Sequence, residues 1–293
     1  MTEDLKRQKI LVTGAGGMLG RALAPCLKKR GHEVVALPKE DLDVTSYAQV
    51  AGTLKSVKPE LVIHCAAYTK VDQAESEPGL AYLINGYGSE NLALAAQAQD
   101  IPVVYISSDY VFDGEQTSPY TTWDKTRPLS IYGKSKLAGE EAIQRHLRKF
   151  YIVRTSWLYG PNGPNFVDTI SRMAKEGKPL KVVCDQIGTP TCTLTLSEYL
   201  ADLIATGRYG AYHATDEGVT NWYEFAKEIV KDLKVEVSPI ETKDFPRPAT
   251  RPKYSVLDKT TLVHTIGKEL TSWRKALADY LASVREAQKA ASH

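Results

Sequence analysis

Lys9-Ile10-Leu11-Val12-Thr13-Gly14-Ala15-Gly16-Gly17-Met18-Leu19-Gly20 runs an apolar strand into a glycine turn. Arg21-Ala22-Leu23-Ala24-Pro25-Cys26-Leu27-Lys28-Lys29-Arg30 follows with helical spacing, and Glu33-Val34-Val35-Ala36-Leu37 reads as a second buried strand. Strand, glycine turn, helix and strand in that order form the context that a dinucleotide-binding fingerprint requires. Gly14, Gly17 and Gly20 permit a tight turn. They also let backbone N–H groups, those of Gly17, Met18 and Leu19 among them, approach a pyrophosphate at the positive end of a helix. The competing reading is a glycine-rich turn in an ordinary α/β protein.

Beyond the turn, strand and helix signals alternate. Residues 61–65, 103–107 and 151–154 are short apolar runs of the kind found in buried parallel strands, and residues 80–98 and 132–147 have helical periodicity. The pattern predicts an α/β fold with a Rossmann-like doubly wound parallel sheet. Ligands of such sheets gather beyond the carboxyl ends of the strands. Gly14, Ala66-Ala67, Ser108 and Trp157 each follow a strand and are therefore expected at one crevice. After Tyr159 the texture turns to proline- and glycine-rich loops between helical segments at 165–176, 196–206, 222–233 and 272–287. We expect a dinucleotide-binding domain over 1–160 and a mainly substrate-binding, loop-rich lobe over 161–293, with a discontinuous boundary and a tail that frays from 287 to 293.

With 293 residues the chain can build one large domain or two lobes sharing a core. Its 37 basic and 35 acidic residues balance to a net charge of +2, and the basic residues are scattered, which argues against a nucleic-acid partner. No apolar run approaches the roughly 20 residues of a membrane span, and Met1 to Gln8 does not resemble a signal peptide. The four cysteines, Cys26, Cys65, Cys184 and Cys192, lack metal-ligand spacing. They read as small buried apolar residues suited to a reducing cytoplasm. The six histidines are dispersed, and His64 lies inside an apolar strand as a structural residue.

Tyr132-Gly133-Lys134-Ser135-Lys136, with Ser108 24 positions upstream, carries the chemistry. Tyr132 and Lys136 lie four apart, so a helix presents them on one face. An ammonium beside a phenol favours the phenolate. Lowering the phenol from its usual value of about 10 to near neutrality requires roughly 4 kcal/mol of differential stabilisation. A tyrosine so tuned exchanges a proton with a substrate oxygen. Ser108 is either a donor to that oxygen or a strand-end cap.

Together these stretches resemble the extended short-chain dehydrogenases/reductases and, within them, the dTDP-4-dehydrorhamnose reductase family. The resemblance runs from about residue 10 to 280. Its carriers are Gly14-x-x-Gly17-x-x-Gly20, Ala66-Ala67-Tyr68-Thr69-x-Val71-Asp72-x-Ala74-Glu75, Ser107-Ser108-Asp109-Tyr110-Val111-Phe112-Asp113-Gly114, Tyr132-Gly133-Lys134-Ser135-Lys136-Leu137-Ala138-Gly139-Glu140 and Arg154-Thr155-Ser156-Trp157-Leu158-Tyr159-Gly160. In the second half Asp185-Gln186-x-Gly188-x-Pro190-Thr191 and Arg251-Pro252-x-x-Ser255-x-Leu257 agree as well.

The resemblance implies reduction of the C4 keto group of a dTDP-sugar, dTDP-4-dehydro-L-rhamnose, by hydride transfer. Tyr132 would act as general acid, Ser108 would steady the carbonyl oxygen, and Lys136 would hold the nicotinamide ribose. It also implies a cofactor site built from Gly14, Gly17, Met18, Leu19, Gly20, Asp43, Val44, Ala66, Ala67, Tyr68, Tyr132 and Lys136. Asp43 either accepts from adenine or caps its own turn. Ser108, Asp109, Tyr110, Trp157, Gln186 and Arg251 match substrate-binding positions. Trp157 could equally pack the core, and Arg251 could be an ordinary surface cation.

Leu37 is followed by Pro38 and Lys39 where NAD-dependent relatives carry a ribose-binding acid. With Arg21 nearby, NADPH is the expected cofactor and NADH a second one. Some relatives dimerise around magnesium held partly by an acid in the first helix. Arg21-Ala22-Leu23 lacks it, so no metal is expected, and the chain is read as a monomer or a metal-independent homodimer. Tyr110 stands where a 4,6-dehydratase needs glutamate. An epimerase or reductase acting on another nucleotide sugar, and a non-catalytic NADP-binding regulatory subunit, stay as alternatives.

Overall fold

The structure, a computed structural model, describes residues 7–291. Residues 1–6, on which most of the leader reading falls, and Ser292 and His293 lie outside the described residues. The central sheet has six parallel strands. They include β1 (Lys9–Thr13), β2 (Glu33–Leu37), β3 (Leu61–His64), β4 (Val103–Ser108) and β5 (Phe150–Thr155), and strand Gly210–His213 pairs with β5 at one edge. β1 lies between β2 and β3, so the chain reverses its direction of travel across the sheet there. That reversal is the switch point at which open α/β sheets bind their ligands.

Alternation along each strand explains the two-sided sheet. Ile10 and Val12 of β1, Ile63 of β3, Val104 and Ile106 of β4 and Tyr151 and Val153 of β5 pack with Leu23, Leu27, Leu196 and Leu200. The latter come from helices Met18–Lys29 and Thr193–Ala205. Leu11, Val62, Val103, Tyr105 and Ile152 point the other way, onto Val50, Leu54, Leu92 and Ile143. Those residues belong to helices Tyr47–Val57, Gly88–Gln97 and Ile131–His146. Both faces are covered, as an all-parallel sheet requires.

A second core joins Tyr159, Val167, Phe225, Trp273 and Tyr280. It is enclosed by helices Phe166–Lys175, Trp222–Ile229 and Trp273–Ala291, beside a parallel pair of strands, Leu180–Val183 with Val237–Ile240. Strand Gly210–His213 and helix Thr193–Ala205 return from the later half of the chain to complete the first-half sheet.

Several features depart from the sequence reading. The helix expected over 80–98 is broken by a π turn at Leu83–Tyr87 between Pro78–Tyr82 and Gly88–Gln97. Helix Tyr47–Val57 is additional; Ser46 caps it by accepting from Gln49 N–H. The terminal helix, expected over 272–287, spans Trp273–Ala291. All four cysteines are free thiols, but only Cys192 is buried and the other three are half-buried. Among the described residues no helix is long and apolar enough to cross a membrane, and no group of three or more metal-ligating side chains gathers.

Candidate active site

At the end of β1, Gly14 adopts φ +63°, and a Cβ there would stand 2.5 Å from the Ala66 backbone. The turn can therefore touch the end of β3 only because this residue has no side chain. Gly17 starts helix Met18–Lys29 without any side-chain cap, so the first-turn N–H groups have no side-chain acceptor there. Leu19 and Gly20 are buried, Leu19 within the core, which restricts Leu19 to a backbone role at the turn. Met18 meets the loop after Gly160, a Cβ on Gly163 coming within 3.1 Å of its side chain. The Arg21 guanidinium donates to Gly16 C=O at 2.8 Å.

Asp43 Oδ1 accepts from both the N–H and the hydroxyl of Thr45, at 2.9 and 2.8 Å, and these bonds hold its carboxyl below the usual range. This is the capping arrangement. Val44 is buried, its carbonyl accepting from Asn91, and a Cβ on Gly88 would approach its side chain to 2.9 Å. Ala66 and Ala67 are half-buried after β3. Tyr68 N–H donates to Asn85 Oδ1 at 2.8 Å, while Asn85 Nδ2 donates back to Tyr68 C=O and to Ser135 Oγ. Asn85 thus fastens the segment after β3 to the helix that carries Tyr132. No motif pointed to Asn85; an asparagine inside a helical, otherwise small and apolar stretch was the available signal. His64 is neutral and structural, bonded to Thr13 and Ser89, with burial pushing it down to about 3.

Helix Ile131–His146 begins on two anchors. Ser130 Oγ accepts from Gly133 N–H at 3.1 Å, and Glu75 Oε1 accepts from Ile131 N–H at 2.8 Å. The first turn so fixed carries Tyr132 to hydrogen-bonding reach of Ser108 at the end of β4. Ser108 Oγ donates to Asp109 Oδ1 at 2.9 Å and accepts from Tyr110 N–H at 3.2 Å, so it also caps the short turn Asp109–Val111.

The Lys136 ammonium lies 4.1 Å from the centre of the Tyr105 ring. The expected lowering of the Tyr132 phenol by Lys136 is not found. Burial pushes Tyr132 up to about 12, and Lys136 is not among the groups acting on it. Lys136 itself is pushed down to about 7, chiefly by burial, with Glu140 and Cys65 opposing. In an enclosed site desolvation of both charged forms outweighs their mutual attraction. The phenol is consequently protonated at neutral pH, the state a proton donor needs.

Lys136 gives a thermodynamic prediction. Its folded value of about 7 lies below the usual 10.5, so between these pH values the unfolded chain binds the proton more readily and stability falls as pH drops. Lys136→Met is therefore expected to raise the unfolding free energy at pH 7 by on the order of a few kcal/mol. The gain should shrink as the pH approaches 10. Chemical denaturation at pH 7 and 9.5 checks it.

Beneath Lys136 lies a buried polar cluster that the sequence reading did not single out. Glu140, 1% exposed, accepts from Arg154 Nε and NH2 at 2.9 and 2.7 Å and from Ser107 Oγ at 2.5 Å. Arg154 also faces His213, a neutral ring that burial pushes down to about 3.

The expected substrate residues divide. Asp109 is buried next to Ser108; burial pushes its carboxyl up to about 6 against the lowering effect of the Ser255 and Ser108 hydroxyls, and its Oδ2 has no hydrogen bond among the described residues. Tyr110 packs edge-on against Tyr132 with ring centres 5.5 Å apart. Trp157 is half-buried and stacks face to face on Trp222 at 3.7 Å. Gln186 is buried and donates to Thr242 Oγ1. Arg251 is held by Asp72 through NH1 and NH2, both at 3.0 Å, and Arg247 grips the same carboxylate. Arg251 is thus no free surface cation, and Asp72 joins the second lobe to the segment after β3.

A Rossmann-like doubly wound sheet with a glycine turn at its switch point, Ser108 at the end of β4 and Tyr132 and Lys136 on helix Ile131–His146 is the framework of an oxidoreductase. A family model described as "RmlD substrate binding domain" matches residues 8–286. The dTDP-4-dehydrorhamnose reductase of Streptomyces griseus is 43% identical over 93% of this chain and 93% of its own length. The spore coat polysaccharide biosynthesis protein SpsK of Bacillus subtilis is 41% identical over 93% of this chain and 96% of its own. The crystal structure of dTDP-4-dehydrorhamnose reductase from Bacillus anthracis in complex with NADP superposes with a TM-score of 0.92 at 41% identity, covering 94% of this chain and 99% of that one. The chain belongs to the RmlD family, that of the dTDP-4-dehydrorhamnose reductases.

Proposed function

We propose that the protein reduces the C4 keto group of dTDP-4-dehydro-L-rhamnose to the alcohol of dTDP-L-rhamnose, with NADPH as its cofactor and NADH as a second. The observation that carries this reading is that helix Ile131–His146 starts beside Ser108 at the carboxyl end of β4, with Tyr132 in its first turn packed on Tyr110 and Lys136 one turn further. The residues present fit a dinucleotide. The uncapped N-terminus of helix Met18–Lys29, the Gly14 turn and the small side chains of Ala66 and Ala67 form a cradle for a pyrophosphate and a flat ring. Lys39 follows the end of β2 where a 2′-phosphate would lie, and Pro38 stands there in place of a ribose-binding acid.

Reduced nicotinamide, when bound, supplies the hydride. Ser108 Oγ, a rotating hydroxyl, donates to the C4 oxygen and steadies its developing charge. Tyr132, protonated at neutral pH, passes its proton to that oxygen. The phenolate left behind is stabilised when Lys136 is charged, a state that burial brings into balance with the neutral amine by pushing Lys136 down to about 7. Asp109 and Tyr110 border the sugar, and Trp157 lies further along the same strand ends; Arg251, whose paired donors Asp72 holds, adds positive charge on the side of the nucleotide.

Loss of NADPH absorbance on adding dTDP-4-dehydrorhamnose tests the proposal. An epimerase, a dehydratase or a regulatory subunit would leave NADPH unconsumed, and that outcome would refute it.

A further inference from the structure

Trp157 adopts φ +48°, in the left-handed region that a bulky side chain rarely enters. Such a conformation persists only where its surroundings over-determine it, and several contacts do so here. Ser156 Oγ donates to Thr189 C=O at 2.6 Å, and Thr191 N–H donates to Trp157 C=O at 3.3 Å. The indole itself is held by a two-stranded ribbon in which Ile187–Gly188 pairs with Thr220–Asn221. Gly188 lies so close that a Cβ there would come within 2.6 Å of the Trp157 ring. Trp222, the residue after the ribbon, stacks on Trp157 with ring planes 11° apart and is itself backed by Phe166 at 4.6 Å. Asn221 fixes Trp222 at the head of its helix by accepting from Glu224 N–H at 2.8 Å. The same ribbon is bonded to the segment that carries Arg251, through Ile187 N–H to Lys253 C=O and Ser255 N–H to Ile187 C=O.

We infer that Trp222 is a positioning residue for the nucleotide-sugar site: its indole holds Trp157 in the left-handed conformation and so sets which part of the Trp157 ring the sugar can meet. The inference rests on the reading above that Trp157 borders the bound substrate. One face of Trp157 is given to Trp222, which leaves only the remaining surface of the ring to a ligand. Removal of Trp222 frees Trp157 to relax toward ordinary backbone angles and withdraws that surface, with no change at the glycine turn or at Tyr132.

The test compares Trp157→Ala, Trp222→Ala, Trp222→Phe and the Trp157→Ala/Trp222→Ala double variant in the full chain. It reads KM and kcat for dTDP-4-dehydrorhamnose, NADPH affinity by fluorescence titration, and near-ultraviolet circular dichroism. Trp222→Ala is expected to raise KM about tenfold while NADPH affinity stays within about twofold. Phenylalanine, which can still stack, should restore most of the loss. The double variant should be no worse than Trp157→Ala, because both changes remove one interaction. The near-ultraviolet signal of the stacked pair should vanish in either alanine variant.

If Trp157→Ala raises KM and Trp222→Ala does not, or if the two effects add, the positioning role is overturned while the substrate reading stands. An unchanged KM in Trp157→Ala removes Trp157 from the substrate site and the inference with it. Should Trp222→Ala fail to fold, Trp222→Leu takes its place: a KM equal to that of Trp222→Phe would refute the stacking role.

Discussion

Tyr132→Phe is expected to lower kcat about a thousandfold, within the 10²–10⁴ that a positioned general acid contributes. The substitution removes one oxygen and keeps the ring, so the edge-on packing against Tyr110 survives and the helix start held by Ser130 and Glu75 is untouched. NADPH affinity should change little, because the cradle proposed for it depends on backbone groups around Gly14 and Gly17. The loss should appear in kcat and kcat/KM together, as for an interaction made only in the transition state. Steady-state kinetics beside NADPH titration separate these quantities. Turnover within tenfold of the parent would remove Tyr132 from the role of proton donor and shift attention to Asp109, the other buried acid next to Ser108.

The two tyrosine-site predictions differ in an informative way. Tyr132→Phe should leave stability nearly unchanged, whereas Lys136→Met should raise it at neutral pH while impairing reduction. A residue whose removal stabilises the fold is one retained for chemistry at the expense of stability. Trp157 is a second such place, its backbone held away from the angles its side chain prefers.

The first half of the fold was legible because its signals are local. Buried strands of the central sheet are nearly continuous apolar runs, and Gly14 marks the close approach of the turn after β1 to the segment after β3. Strand Gly210–His213 was not legible. Gly-Ala-Tyr-His has neither length nor apolar character, and its place is set by pairing with β5, about sixty residues earlier in sequence. The π turn at Leu83–Tyr87 left no trace either, since one extra residue in a turn hardly alters a helical period.

The candidate site shows the same division. Spacing put Tyr132 and Lys136 on one helix face, but the protonation of each follows from burial, which no spacing encodes. Trp157 could be found by its position after β5; its stacking on Trp222 depends on a ribbon formed by residues far apart in sequence. Asp43 was legible as a polar residue after β2 and Gln186 through the family motif, yet their side chains are engaged by Thr45 and Thr242.

Glu140→Gln is expected to destabilise the protein by about 3–5 kcal/mol, the range for removing one partner of a buried ion pair. Glu140 is 1% and Arg154 5% exposed, and the carboxylate takes two guanidinium donors and the Ser107 hydroxyl. His213 is neutral and cannot replace the missing charge. Glutamine of equal size would leave Arg154 without its counter-charge, and Lys136, one turn away, without its nearest anion. Replacing both partners, as in Glu140→Met/Arg154→Met, should recover most of the loss, because packed apolar groups carry no desolvation penalty.

Denaturant midpoints at pH 7 for the single and double variants provide the measurement, and a single-variant loss under about 1 kcal/mol would contradict a desolvated pair. The double variant then isolates a second effect. Glu140 ties the helix bearing Tyr132 to Ser107, next to Ser108, and through Arg154 to β5. If the stable double variant still loses kcat, the pair serves to align the serine and the tyrosine. If it keeps full turnover, hydrophobic packing aligns them equally well and the ion pair contributes to Lys136 alone.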